Sequence, residues 1–179
     1  MPTKISAIKK SFHSLGRVGQ DRLLSEIYGL SKETRNLLES RLLHFVDEAT
    51  LIKEMEKETL DKVFNGFHPG LPNGKKVNSI IARAKKLNAS ERTLMDLERI
   101  AFEGFVEFLN EFGGGPESFE QMACDHLEKY LQLVRKVYTN EEDYLKQVSE
   151  IRKYIQKKNN MYVDGLWEIF EISTRLNER

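Results

Sequence analysis

Residues 90–112 read SERTLMDLERIAFEGFVEFLNEF and carry the clearest periodic pattern in the chain. Apolar side chains recur there at three- and four-residue steps, as they do along one face of an α-helix. These side chains are Leu94, Leu97, Ile100, Ala101, Phe105, Phe108 and Phe112, and Phe102, Val106 and Leu109 widen the stripe. Ser90 is a suitable N-cap, because its hydroxyl can accept a hydrogen bond from a backbone N–H of the first turn. The pattern predicts one long amphipathic helix with neighbours on two sides.

Apolar residues recur with the same helical period in the rest of the chain. Apolar stripes predict further helices over about 20–28, 31–45, 48–65, 75–87, 118–138 and 140–155, with others at each end of the chain. Ser31 and Ser118 are the predicted N-caps of the helices that they open. No run of β-branched residues alternates with polar ones, so no sheet is predicted. Connections of two to six residues favour antiparallel neighbours. The predicted fold is all-α, with eight or nine short amphipathic helices packed as antiparallel hairpins, either helical-repeat-like or as an orthogonal bundle.

Two loops interrupt the helical pattern. Residues 66–74 read GFHPGLPNG and residues 113–116 read GGGP, and both combine glycines that permit turns with prolines that cannot continue a helix. A chain of 179 residues is about the size of one domain. We therefore predict a single all-helical domain over 1–179, with the 66–74 loop as the place where it would subdivide.

Composition narrows the class of protein. Lysine plus arginine equals aspartate plus glutamate at 28 each, which argues against a dedicated nucleic-acid coat or a polybasic membrane anchor. The single cysteine, Cys124, allows no internal disulfide. The N-terminal residues lack the apolar core of a secretory signal, and no apolar run is long enough to span a membrane. We expect a cytoplasmic protein with no membrane partner.

Charge is unevenly distributed along the chain. Six basic residues and one acid lie between Lys75 and Thr93, whereas nine acids and two bases lie between Leu94 and Tyr130. The favoured interpretation is that adjacent helices carry complementary surfaces. The alternative is a weak nucleic-acid binder through the basic helix at 75–86, but this helix lacks the interleaved aromatic residues on which bases stack. A nucleic-acid partner is therefore not expected.

The sequence contains few residues that indicate a catalytic or metal-binding site. No phosphate loop, dinucleotide fingerprint or nucleophile elbow is present, so no catalytic residue and no cofactor is predicted. Carboxylates on the long helix and its successor could hold a divalent ion in a metal-dependent enzyme or sensor. The candidate ligands are Glu103, Glu107, Asp125 and His126. Di-iron bundles use an inward-facing Glu-x-x-His pair, which none of these residues forms, so a solvated acidic face is favoured instead.

Aromatic residues suggest a different function. Tyr28, Phe67, Trp167 and Phe170 are candidate partner-binding anchors, because aromatic side chains dominate the energetics of protein interfaces. Wide amphipathic stripes and zero net charge also favour association. The leading hypothesis is a non-catalytic helical interaction module that binds a protein partner or associates with itself.

The segment 23–42, LLSEIYGLSKETRNLLESRL, resembles the opening of a small bacterial all-helical family that is catalogued only as a domain of unknown function. In that family a helix ends in a Tyr-x-Leu-Ser turn and an amphipathic helix follows. The Phe67-His68-Pro69 loop, the helix from Ile80 to Leu87 and the stretch from Phe105 to Phe119 also resemble its layout. The resemblance implies an all-α fold and a bacterial or phage source, and it brings no catalytic residues.

Overall fold

The structure is a computed structural model that describes residues 3–64, 70–158 and 163–175. Within these ranges the chain is helical and forms no strand. The α-helices are α1 (Lys4–Ser14), α2 (Arg17–Leu30), α3 (Lys32–Leu38), α4 (Glu48–Glu58), α5 (Leu60–Phe64), α6 (Gly74–Lys86), α7 (Glu91–Phe112), α8 (Glu117–Val137), α9 (Glu141–Gln156) and α10 (Val163–Arg175). A π-helical turn, Glu39–Leu43, directly continues α3.

The all-α prediction is confirmed. The π turn extends α3, and α5 follows α4 after the single residue Thr59, so the described residues form nine helices in all. None of these helices is long and apolar enough to cross a membrane.

Short polar side chains begin several helices as the sequence predicts. Ser31 accepts a hydrogen bond from the Thr34 N–H at 3.1 Å, and Ser90 accepts one from the Thr93 N–H at 3.1 Å. Each bond satisfies a donor that has no partner within the helix. The start predicted at Ser118 is slightly late, because Pro116 is the N-cap and α8 begins at Glu117.

Helices α7 and α8 form a central antiparallel hairpin. Glu98 in the first half of α7 meets His126 at the middle of α8, whereas Phe105 further along α7 meets Phe119 near the start of α8. Gly113 ends α7 in the left-handed region at φ 64°, a conformation that glycine adopts without steric cost.

The long helix has neighbours on more than one side, as its widened stripe predicts. Helices α4, α5 and α6 pack on α7 as α8 does, and α10 packs on α8 and α9. The largest fully buried side chains include Phe102, Phe105 and Leu97 of α7 together with Leu127 and Tyr130 of α8. The α7/α8 hairpin is therefore the centre of the hydrophobic core.

The chain divides into two compact units at a place that the sequence analysis did not indicate. The N-terminal unit is Met1–Val46 and contains α1, α2, α3 and the π turn, and the C-terminal unit is Asp47–Arg179 and contains α4 to α10. The 66–74 loop, where a subdivision is predicted, lies inside the C-terminal unit, although residues 65–69 are outside the described ranges.

Contacts across this loop explain why the division does not fall there. The Lys76 ammonium lies 2.9 Å from the Glu58 carboxylate, and the Asn73 N–H donates to the Glu58 carbonyl at 3.3 Å. The Gly70 N–H donates to the Lys62 carbonyl at 2.8 Å. Helices before and after the loop are thus hydrogen-bonded to each other, so the loop connects parts of one unit.

Candidate functional site

An open concave surface lies in the N-terminal unit, between α2 and the α3/π-turn helix. It encloses about 350 Å³ and is lined by Leu24, Ser25, Tyr28, Leu38, Glu39, Leu42 and Leu43. We call this surface the Tyr28 groove. Five of its seven lining side chains are leucine or tyrosine, and concave surfaces of this kind bind ligands or partner side chains.

The local sequence places the groove residues on facing helices. Leu24 and Tyr28 are four residues apart on α2, and Leu38 and Leu42 are four residues apart on the next helix, so each pair shares one helical face. The chain reverses at Ser31, whose backbone is extended at φ −157° and ψ 161°. The two apolar faces therefore lie on either side of the groove.

The π turn shapes one side of the groove. Three groove residues, Glu39, Leu42 and Leu43, belong to this turn, and it ends where the Phe45 N–H donates to the Glu39 carbonyl at 3.2 Å. His44 follows in the left-handed region at φ 55°, which costs free energy for a residue with a Cβ. Isolated π turns are rare and occur frequently at functional sites.

A polar group spans the groove. The Tyr28 hydroxyl donates to the Glu39 carboxylate at 2.5 Å, and the Arg35 guanidinium lies 5.0 Å from the centre of the Tyr28 ring. The hydrogen bond to Glu39 raises the pKa of Tyr28, with smaller contributions from burial and from the charge of Glu39. The hydrogen bond orients the Tyr28 ring beside the leucines of the groove.

Apolar side chains of the N-terminal unit are exposed. Within the described residues, every buried hydrophobic side chain lies at Leu51 or beyond, and the only buried residue of 3–46 is Ser40. The exposed large apolar residues of the N-terminal unit are Ile5, Ile8, Phe12, Leu15, Val18, Leu24, Tyr28, Leu30, Leu42, Leu43 and Phe45. Such a concentration of exposed apolar surface is typical of an interaction site.

The four predicted metal ligands have other partners. Arg99 pairs with Glu103 at 2.8 Å, and the Gln121 amide donates to Asp125 at 2.7 Å. Glu107 accepts from the Tyr154 hydroxyl at 2.7 Å and from the Lys158 ammonium at 2.5 Å. No three histidine, cysteine, aspartate or glutamate side chains of the described residues are grouped as metal ligands would be.

His126, the fourth predicted ligand, belongs to a buried pair that the sequence analysis missed. Its Nδ1 lies 2.6 Å from Oε2 of Glu98, and the Phe105 ring stacks on the imidazole with centroids 5.9 Å apart. One signal was available in the sequence: Glu98 precedes Phe102 by four residues and Phe105 by seven, which places its carboxylate on the apolar face.

A second polar cluster, half-buried, joins Glu107, Tyr154 and Lys158. Burial raises the pKa of Tyr154, and the neighbouring Glu107 carboxylate raises it further, so the phenol donates its hydrogen bond without ionising. The Lys158 ammonium also lies 4.6 Å from the Tyr154 ring centre. A nearby cavity of about 10 Å³, lined in part by Lys158 and Glu120, has room for no more than a water molecule. This cluster stabilises packing and has no space for a substrate.

Three of the four predicted anchors lie within the described residues, and they differ in exposure. Tyr28 lies in the groove and is 40% exposed. Phe170 is buried at 5% exposure, and Trp167 is half-buried against it in a T-shaped pair with centroids 5.7 Å apart. Phe67 lies outside the described residues. Phe170 thus has a packing role and offers a partner almost no surface.

The basic helix at 75–86 is partly neutralised within the C-terminal unit. Lys76 pairs with Glu58, and Arg83 pairs with Glu54, so α6 meets the acidic side chains of α4. The favoured interpretation, that adjacent helices carry complementary surfaces, agrees with these pairs, although the acids come from α4 and not from the 94–130 stretch. Nucleic-acid binding and metal-dependent chemistry stay predictions that no contact of the described residues favours.

Comparisons with protein-family models, with curated proteins and with solved structures find no match for this chain. The resemblance described above therefore stays a prediction. What the protein does has to be argued from its own surface.

Proposed function

We propose that this protein is a non-catalytic helical interaction module whose binding surface is the Tyr28 groove. The observation that carries the proposal is the contrast between the two units. The described part of the C-terminal unit buries 27 hydrophobic residues and exposes five large ones, whereas that of the N-terminal unit exposes eleven large apolar residues and buries only Ser40. Exposing that much apolar surface is unfavourable, and binding a partner removes it from water.

The groove suits an amphipathic helix. Helices that bind in grooves insert apolar side chains spaced three, four and seven residues apart, and the leucines of the Tyr28 groove offer matching apolar contacts. The Tyr28 ring, hydrogen-bonded to Glu39, supplies the aromatic anchor on which such interfaces commonly depend. Glu39, at the polar edge, would favour one orientation of the partner.

Site-specific photo-cross-linking tests this function. A photoreactive benzophenone amino acid is placed at Leu42 in the full chain, and the protein is irradiated in the cells that express it. We expect one strong cross-linked product, which mass spectrometry then identifies as another protein or a second copy of the chain. Val18, which is 84% exposed on α2 and outside the groove, is the matched control position.

The comparison between the two positions decides the outcome. A product at Leu42 that is weak or absent at Val18 supports a binding groove. Equal labelling at both positions, or no product at Leu42, would overturn the proposed function.

A further inference from the structure

We infer that the partner in the Tyr28 groove is the same surface of a second copy of this chain. Two hairpins, each made of α2 and the α3/π-turn helix, would then pack about a two-fold axis as a four-helix bundle. This inference rests on the proposed function and names its partner.

The N-terminal unit is too small to bury its own apolar residues. Its longest helix, α2, has 14 residues, and isolated helices of this length are marginal in water. Domains of this size usually need a disulfide, a metal or association to be stable. The only cysteine of the chain, Cys124, lies in the other unit. No group of potential metal ligands is found among the described residues either, so the exposed apolar surface of the hairpin favours association.

The ridges that border the groove allow a symmetric contact between two copies. Leu24 and Tyr28 form a four-residue ridge on α2, and Leu38 and Leu42 form a second one on the facing helix. Ridges of four-residue spacing on two helices can interdigitate, and two-fold symmetry brings each ridge against an identical surface. Pairing two hairpins in this way covers both grooves at once.

The charge of the hairpin also favours an identical partner. From Arg17 to Leu43 there are five basic and four acidic residues, and the two signs alternate along the chain. A nearly neutral surface that carries charges of both signs does not repel its own copy. It also gives no electrostatic advantage to a partner helix that is strongly acidic or strongly basic. Exposed pairs such as Arg22 with Glu26, 3.1 Å apart, can exchange partners across a two-fold axis.

Helix α1 is the competing surface, and its charge argues against it. It carries Lys4, Lys9 and Lys10 and no acidic residue, so two copies of α1 packed on each other would repel. The symmetric contact is therefore assigned to the hairpin and not to α1.

Sedimentation velocity of the full chain tests the inference. The chain has a mass of 20.9 kDa, and we expect a species of twice this mass at concentrations up to about 100 µM, where a dimer with a micromolar Kd is populated. Leu42→Glu should weaken dimerisation at least about a hundredfold, because the change occurs twice in a two-fold contact and places a charge on a buried surface. Leu42 is 60% exposed in the single chain, so the substitution leaves the fold of each copy intact.

Two matched variants control for added charge. Val18→Glu adds the same charge to α2 outside the groove, and Leu145→Glu adds it to an exposed position of α9. Both should remain dimeric, and circular dichroism should give all three variants the helix content of the unaltered chain.

Two results would overturn the inference. One is an unaltered chain that stays monomeric over the whole concentration range, and the other is a dimer that Leu42→Glu leaves unchanged. The cross-linking experiment at Leu42 distinguishes a failure of the dimer inference from a failure of the proposed function. A product containing a different protein would preserve the interaction groove and reject the second copy, whereas a product of two identical chains supports both.

Discussion

His126 Nδ1 lies 2.6 Å from Glu98 Oε2 inside the α7/α8 hairpin, with 3% and 2% of the two side chains exposed. The imidazole Nδ1 and the Glu98 carboxyl group form a hydrogen bond, and the Phe105 ring stacks on one face of the imidazole. Most contacts around this pair are apolar and have no preferred direction. A buried hydrogen bond is directional, and only one alignment of α7 along α8 lets Glu98 and His126 form it.

Removing one member of this pair should be strongly destabilising. We expect Glu98→Leu to lower the free energy of unfolding by about 3 kcal/mol, because His126 is then left buried without its partner. Glu98→Gln keeps a hydrogen-bond acceptor and should lower it by about 1 kcal/mol. Urea unfolding measures both variants. The exposed Glu111→Gln on the same helix is the control, with an expected change within about 0.5 kcal/mol. Equal effects of the two Glu98 variants would contradict a specific pair.

The acid stability of the C-terminal unit should depend in part on Glu58. Burial alone would raise the pKa of this carboxyl, but hydrogen bonds from Lys62 and Lys76 outweigh burial and hold the pKa below its ordinary value of 4.5. A carboxyl with a depressed pKa stabilises the folded state above its unfolded pKa. That stabilisation is lost as the pH falls from about 4.5, the ordinary pKa of this carboxyl, through the lower pKa that it has in the folded protein.

Glu58→Gln should therefore lower stability by about 1 kcal/mol at pH 7, since one of the two paired lysines is largely exposed. The loss relative to the unaltered chain should shrink as the pH falls below about 4.5, because both proteins then carry a neutral side chain at this position. Thermal unfolding between pH 3 and pH 7 measures the difference. A loss that is the same at every pH would show that the ion pairs do not contribute.

Tyr130 offers a substitution that should not be harmful. Its ring is 1% exposed, and its hydroxyl has no hydrogen-bond partner among the described residues. A buried hydroxyl without a partner costs free energy, so Tyr130→Phe should leave stability unchanged or raise it by about 1 kcal/mol. Tyr154→Phe is the matched comparison, because the Tyr154 hydroxyl donates to Glu107 at 2.7 Å. In the same urea experiment, Tyr154→Phe should lower the free energy of unfolding by about 1–2 kcal/mol. Similar losses in both variants would mean that the Tyr130 hydroxyl is satisfied in solution.

Gly104 allows α7 to approach the junction of α4 and α5. A Cβ added at Gly104 would overlap the side chain of Thr59, which is itself fully buried and hydrogen-bonded to the Met55 carbonyl at 2.7 Å. Alanine is favoured over glycine in a helix by about 1 kcal/mol, but the overlap should reverse the sign and make Gly104→Ala destabilising by about 1–2 kcal/mol.

A double-mutant cycle with Thr59→Gly checks this explanation. The added methyl should cost at least about 1 kcal/mol less when the Thr59 side chain is absent. Gly165→Ala is the control, because a Cβ at Gly165 would make ordinary contact with Cys124 at 3.5 Å. It should be neutral or stabilising. Additive effects of Gly104→Ala and Thr59→Gly would rule out a steric cause.

Sequence patterns predicted the helices well but not the partners of the polar residues. The stripe on residues 90–112 became α7, and most of its apolar members are buried. Glu103 and Glu107 instead illustrate the limit of such patterns. Their spacing favours a solvated acidic face and leaves a shared metal as the alternative, whereas in the structure Arg99 pairs with Glu103, and Tyr154 and Lys158 pair with Glu107. No local rule predicts that Lys158, 51 residues further along the chain, pairs with Glu107.

The candidate site was predicted through one residue only. Tyr28 was chosen as an aromatic anchor, and it does line the groove, but the leucines that complete the groove read as ordinary members of amphipathic helices. A stripe that will pack inside its own chain looks the same in sequence as one that will remain exposed. Phe170 shows the converse, since an aromatic residue chosen by the same reasoning is buried.

The sequence by itself determined the helical class of this protein, the caps at Ser31 and Ser90 and the central long helix. These features depend on residues within a few positions of each other, whose interactions are the same in any packing. Only the tertiary structure decided that Glu98 meets His126, that the chain divides after Val46 and that the N-terminal unit exposes its apolar side chains. These features depend on which helix faces which, and that choice is made by the packing of the whole core and not by any local stretch.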